Sequence, residues 1–209
     1  SVSDNLRTIL YNTQHTSTGD YEENTYTDSI DGFKYRAIKF KSGDCSIRFN
    51  GDVTVDYLIV GGGGGGGTTN QVAEGEGAGA GGGGAGGYLQ NSINILKNTD
   101  YNITIGEGGN GGGGSQWISG FRGKDSAFKD LNGGTINLTA IGGGGGDGDG
   151  AGGEGGGSGG GGRWHYNQGQ RNGGLNTSGQ QGYNGANGDG DKTNPTYGGG
   201  GGGGAGSPG

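Results

Sequence analysis

Seven consecutive glycines at 61–67 follow directly on the apolar run Val53–Val60, and this junction constrains the fold more than any other feature of the chain. Glycine has no side chain to bury and loses the most backbone freedom on ordering. Further tracts stand at 81–84, 86–87, 111–114, 142–146, 155–157, 159–162 and 198–204. In all, 64 of 209 residues are Gly and only 25% are hydrophobic, the latter about half the usual share for a globular domain. A side-chain core cannot extend through such a chain. Two outcomes remain, disorder or a fold that packs backbone. Flexible-linker composition does not explain Val53–Val60, 93–96 or 136–141, which carry apolar residues at strand spacing. Collagen is excluded by 2 Pro and the lack of a Gly-X-Y period.

The conformation open to a glycine tract is the left-handed helix of three residues per turn and about 3.1 Å rise. Bare backbones of this kind pack side by side and bond laterally through N–H and C=O. The expected fold is therefore all-β plus polyglycine II: a small antiparallel β unit, then a bundle of packed polyglycine-II helices joined by short strands, with little or no α-helix. Non-glycine residues in the tracts belong on outer faces or at turns, and Asp147, Asp149, Glu154 and Ser158 are assigned to an outer face.

The expected division is 1–52, a β or attachment region, and 53–209, the glycine-rich domain. In the first region the alternation of 33–40 slips by one residue between Ala37 and Ile38, which predicts a bulge or twist. Cys45, Ile47 and Phe49 alternate again, and Asn50-Gly51-Asp52 reads as a hairpin turn into Val53, Val55, Tyr57 and Ile59. Segments 88–96, 101–105 and 135–141 read as strands, the last running into glycines as Val53–Val60 does. The chain starts at Ser1 and contains no Met, as a processed chain or a piece of a longer one would.

Asp56-Tyr-Leu-Ile-Val followed by seven glycines resembles the start of the glycine-rich domain of phage and virus fibre proteins. The Gly/Ala run at 79–88, Tyr101-Asn-Ile-Thr-Ile-Gly-Glu-Gly-Gly, Ser126-Ala-Phe and Ala140-Ile followed by five glycines keep the family's order, over about residues 53–206. The resemblance implies a polyglycine-II sandwich at or near a fibre tip, with connecting loops that touch a host surface. It leaves the first 50 residues uncovered.

Several function classes are disfavoured. A formal charge of −7 provides no basic footprint for nucleic acid. No apolar run approaches the ~18 residues of a membrane span. The glycines after Val60 mimic a dinucleotide fingerprint, but the segment beyond them is a poor helix former. Gly123-Lys124 is followed by Asp125, so no phosphate loop forms. His15, His165 and Cys45 are too few for a catalytic or zinc cluster. The chain is read as neither an enzyme nor a cofactor binder. Asp147, Asp149, Asp189 and Asp191 offer oxygens to Ca²⁺, without the spacing of a known loop, and read better as solvated acidic edges.

Aromatics in the connecting segments are the candidate contact residues: Trp117, Phe121 with Arg122, Trp164-His165-Tyr166, Tyr183 and Tyr197. Rings among Asn, Gln and Arg suit a sugar or protein surface. They serve equally to cap open faces of the glycine bundle. The leading expectation is a virion fibre or appendage protein, outside the cell, that recognises a host glycan or protein beside neighbouring fibre subunits. The alternatives are a self-associating filament or capsid-decoration subunit, as a homo-oligomer, and an ice-binding protein.

Overall fold

A computed structural model describes residues 13–70, 77–114, 116–131, 134–177, 179–191 and 196–209. Among them the regular elements are all strands: β1 His15–Thr27, β2 Lys34–Phe49, β3 Val53–Val60, β4 Ala78–Gly79, β5 Tyr88–Ile95, β6 Asp100–Ile105, β7 Ser126–Asp130, β8 Asn137–Ala140, β9 Trp164–His165, β10 Gly169–Gln170, β11 Asp189–Asp191 and β12 Thr196–Gly198. The chain forms two compact units, each discontinuous in sequence: Ser1–Tyr57 with Gln90–Ile105 and Ala127–Leu138, and Leu58–Leu89 with Gly106–Ser126 and Thr139–Gly209.

The first unit is built on a five-stranded sheet of order β1-β2-β6-β7-β8, and most of the separate β3-β5 pair belongs to it. Its buried side chains are Cys45, Ile47, Phe49, Ile95, Tyr101, Phe128 and Ile136. Tyr101 and Phe128 lie with ring centroids 5.4 Å apart, and the Tyr101 hydroxyl accepts the Leu96 N–H at 3.1 Å. Beyond Gly43, β2 is no longer paired with β6, so 20–27 and 34–42 form a two-stranded ribbon. Its cross-strand rings are Tyr21 with Phe40 and Tyr26 with Tyr35.

Two local expectations need correction. The register irregularity falls between Thr18 and Tyr21, opposite Phe40–Ser46, and not at Ala37/Ile38. Gly19 and Gly43 supply the left-handed backbone there, with φ of 92° and 67°, and the phase flips between Phe40 and Cys45. Ala37 needs no bulge, because it faces solvent on the ribbon. Asn50-Gly51-Asp52 does not close a hairpin either, since β2 and β3 belong to different sheets. Here the turn carries the chain across: the Asn50 side-chain oxygen accepts the Gln14 N–H, and Asp52 accepts the Lys97 N–H at 2.8 Å.

In the second unit, hydrogen bonds repeat every third residue. The N–H groups of Gly61, Gly64 and Gly67 donate to the carbonyls of Gly87, Gly84 and Gly81. Those of Gly62, Gly65 and Thr68 donate to Lys124, Phe121 and Ile118, while the carbonyls of Gly63 and Gly66 accept from Gly109 and Gly112. One segment thus bonds in three directions in rotation, the signature of packed three-residue helices. Traced through the unit, these bonds order the segments into layers. Segments 106–112, 61–67, 81–87 and 199–203 form one layer; 118–124, 141–147, 158–162 and 183–188 the next; 153–157 and 171–175 a third. Segment 158–162 is bonded to 81–87, 199–203, 141–147, 183–188, 153–157 and 171–175, so backbone surrounds it.

Glycine is required here for space rather than for φ. None of the glycines at 142–146 has positive φ, so any residue could adopt this backbone. An added Cβ, however, would overlap a carbonyl at each: that of Gly123 from Gly142, Gly84 from Gly143, Glu154 from Gly144, Gly120 from Gly145 and Gly81 from Gly146. At the edges of the bundle the demand falls to every third position. In Gly120-Phe-Arg-Gly123-Lys-Asp and Gly182-Tyr-Asn-Gly185-Ala-Asn-Gly188 the glycines face inward, and the residues between them are exposed or half-buried. Short Gly-X-Y runs are therefore present after all, as the edge form of the same helix.

Asp147 and Ser158, expected on an outer face, are both fully buried. The Ser158 hydroxyl donates to the Gly204 carbonyl at 3.0 Å, which satisfies it inside. Glu154 and Asp149 are exposed.

The packing predicts a sharp contrast in calorimetric melts. Gly144→Val, against the Glu154 carbonyl and the Gly160 N, should lose about 1–3 kcal/mol or more. At Gly63 the nearest atom to an added Cβ is 3.8 Å away. In dilute solution, where the single chain is melted, Gly63→Ala should leave stability unchanged or raise it by about 0.4–1 kcal/mol through the unfolded chain.

Candidate functional site

The aromatic residues singled out in the sequence all belong to the glycine-rich unit but do not converge on one patch. Four of them form a cluster around the short sheet β10-β9-β4 and the antiparallel β11/β12 pair. Trp164 is buried, 3% exposed, and stacks on Tyr197 with centroids 4.7 Å apart and 25° between planes. Both rings lie against bare backbone: a Cβ at Gly190 would overlap the Trp164 indole, and one at Gly77 the Tyr197 ring. Trp117 meets His165 edge-on at 4.8 Å. The Arg163 guanidinium carbon stands 4.8 Å from the centroid of the same Trp117 ring. Tyr166, half-buried, is tied in through its backbone N–H, which donates to Gly77 at 3.2 Å.

Beside the Trp117 ring lies a buried charge pair, Asp147 with Arg163. Asp147, 0% exposed, accepts the Gly150 N–H at 2.7 Å and the Arg163 N–H at 3.4 Å. The Arg163 side chain is 4.0 Å from the same carboxylate, donates to the Gly148 carbonyl at 3.3 Å and bonds the Gln168 side chain. Burial lowers the Arg163 pKa from its ordinary value, and Asp147 opposes that shift. This carboxylate, a calcium candidate by sequence, is thus engaged by an arginine and a turn. Asp149 caps the same turn: the Ala151 N–H holds its carboxyl below the usual range, and Ser119 adds to this. Among the described residues no three His, Cys, Asp or Glu side chains are grouped to hold a metal ion. Asp189 is exposed on β11; the Asp191 side chain lies outside the described part of the structure.

The remaining candidates stand apart from this cluster. Phe121, 62% exposed, projects from 118–124, and Tyr183, 42% exposed, from 183–188. Arg122 is exposed and anchored by Nε to the Gly142 carbonyl at 3.4 Å and by Nη2 to Asp125 at 3.4 Å. Sequence reasoning misses Leu175, 65% exposed on 171–175. The edge-helix glycine triplets around Phe121 and Tyr183 are the available signal for outward positions. The burial of Trp164 makes it a cap on the bundle. On the edge segments, the open apolar surface belongs to Phe121, Tyr183 and Leu175.

A family model for a glycine-rich domain matches residues 41–209, and the chain belongs to that family. The match begins inside β2, upstream of the resemblance expected from residue 53. Comparison with curated proteins and with solved structures finds no match. Among the described residues no helix is long and apolar enough to cross a membrane.

Two stability outcomes are expected. Trp164→Ala should cost about 3–5 kcal/mol in a denaturant titration, whereas Phe121→Ala should stay within about 0.5 kcal/mol. Because the Asp149 pKa is depressed in the folded state, its contribution is present at neutral pH and is lost as pH falls through the folded value. Asp149→Asn should accordingly flatten the fall in melting temperature below about pH 4.

Proposed function

We propose that this chain is a structural part of a virion fibre or appendage that recognises a host surface, a cell-surface glycan or protein, through side chains on the rim of a glycine bundle. The observation behind the reading is the edge-helix pattern. Phe121, Arg122 and Tyr183 project from segments in which every third residue is a glycine locked into the lattice. Rings held on rigid backbone lose little freedom on binding, which favours affinity from a small contact area. The cap cluster of Trp117, Arg163, Trp164, His165 and Tyr197 closes the bundle apart from those edges and makes no direct contact through the buried Trp164.

Fluorescently labelled protein on a printed array of microbial and animal surface glycans, and on a panel of intact cells, tests the reading. Wild type should give a discrete set of positive features. The combined Phe121→Ala and Tyr183→Ala variant should lose at least about tenfold in signal, the factor of about 1.4 kcal/mol, with its melting temperature unchanged. Equal binding by the variant, or no wild-type binding to any array feature or cell, would refute it.

A further inference from the structure

The outer face of one layer carries glycine where the protein's own packing does not demand it. An added Cβ would come no closer than 3.8 Å to another atom at Gly63, 3.7 Å at Gly66, 3.6 Å at Gly108, 3.5 Å at Gly111 and 3.7 Å at Gly201. Gly63, Gly108, Gly111 and Gly201 are exposed. These positions belong to 106–112, 61–67 and 199–203, whose bonds place them in a single layer with 81–87. At the corresponding position of 81–87 stands Ala85, also small. Composition alone does not account for this, because outward positions in the other layers hold Phe121, Lys124, Leu175 and Tyr183, and segment 106–112 itself carries Glu107 and Asn110 at its remaining outward positions. Each such glycine costs the chain unfolded-state freedom with no return in its own core.

Two further observations point outward from the same face. Among the described residues the N–H groups of Gly63, Gly66 and Gly83 make no hydrogen bond, while those of Gly64, Gly65, Gly67, Gly82 and Gly84 all do. The unused donors of Gly63 and Gly66 recur at the three-residue pitch by which the internal layers bond. At the strand end of the same rows stand exposed apolar side chains: Leu58 at 64%, Val60 at 53% and Tyr88 at 40%. A surface of glycine and alanine with exposed apolar residues at one end is the profile of a face that is covered.

We infer that this face is the contact between two copies of the chain. The inner face of the same layer is the template: there, glycine backbone meets the middle layer through Gly62 with Lys124, Gly65 with Phe121, and Gly81 and Gly84 with Asp147 and Gly144. A second copy offers the complement, another glycine layer with the same pitch, the same unused donors, and the carbonyls of Gly61 and Gly64, which accept no backbone N–H among the described residues. Turned to face the first, it continues the stack by one interface and brings the Val60 and Tyr88 rims under cover. Such a contact is self-complementary and closes at a dimer. It does not depend on host recognition.

Sedimentation velocity of the full chain over a wide concentration range tests this. Wild type should show reversible dimerisation, and Gly63→Glu and Gly108→Glu, alone and together, should sediment as monomers. Space at both positions lets the variants fold, which a circular dichroism melt verifies; should Gly63→Glu unfold, Gly108→Glu alone decides. Phe121→Glu, on the rim, should leave the dimer intact while disturbing glycan binding, which separates this inference from the recognition reading. A wild type that is monomeric throughout, or glutamate variants that still dimerise, overturns the inference. So does thermal hysteresis in a monomeric wild type that Gly63→Glu abolishes, which would give the face to ice.

Discussion

The distance between a backbone carbonyl oxygen and the α-carbon of the neighbouring segment governs this molecule. Where a glycine faces a neighbouring segment in the bundle's interior, that segment's carbonyl occupies the volume a Cβ would need, as at Gly142 against Gly123 and Gly143 against Gly84. That approach permits lateral N–H···O=C bonds in rotating directions and replaces the side-chain interdigitation of an ordinary core. Interior segments meet the condition on every side, and edge segments on one side only. The same rule therefore yields unbroken glycine at 142–146 and glycine triplets at 120–125 and 182–188.

Much of this is legible in the sequence because the constraint is steric and local. An unbroken glycine tract announces that backbone packs against most of its sides, and the strands β3 and β8 announce themselves by alternation before 61–67 and 141–147. The illegible features depend on partners distant in the chain. Asp147 reads as a solvated acid until Arg163 is brought beneath it, and Ser158 reads as a surface residue until the Gly204 carbonyl receives its hydroxyl. Asn50-Gly51-Asp52 has hairpin chemistry, yet pairing is decided by sheet membership: β2 takes β6, β3 takes β5. Alternation misplaces the bulge because a ribbon with two wet faces tolerates Ala37 on either.

The candidate contact residues divide for the same reason. Where β9 ends the tract 158–162, the bundle needs closure, and Trp164 and Tyr197 provide it by lying flat on glycines that leave room for a ring. Where an edge segment turns two of three residues outward, large side chains stand free, as at Phe121 and Tyr183. Residue type does not distinguish these roles; position relative to the lattice does.

A core of peptide groups also has a thermal character of its own. Unfolding segment 158–162 and its surrounding layers hydrates polar amides more than hydrocarbon. Polar exposure lowers the heat capacity of unfolding, whereas apolar exposure raises it. For its size, this unit should therefore have a shallow dependence of stability on temperature. Cooling weakens hydrophobic burial in ordinary domains, but little of this bundle relies on it. Its cohesion should persist across a breadth of temperature that a leucine-rich core of equal stability does not share.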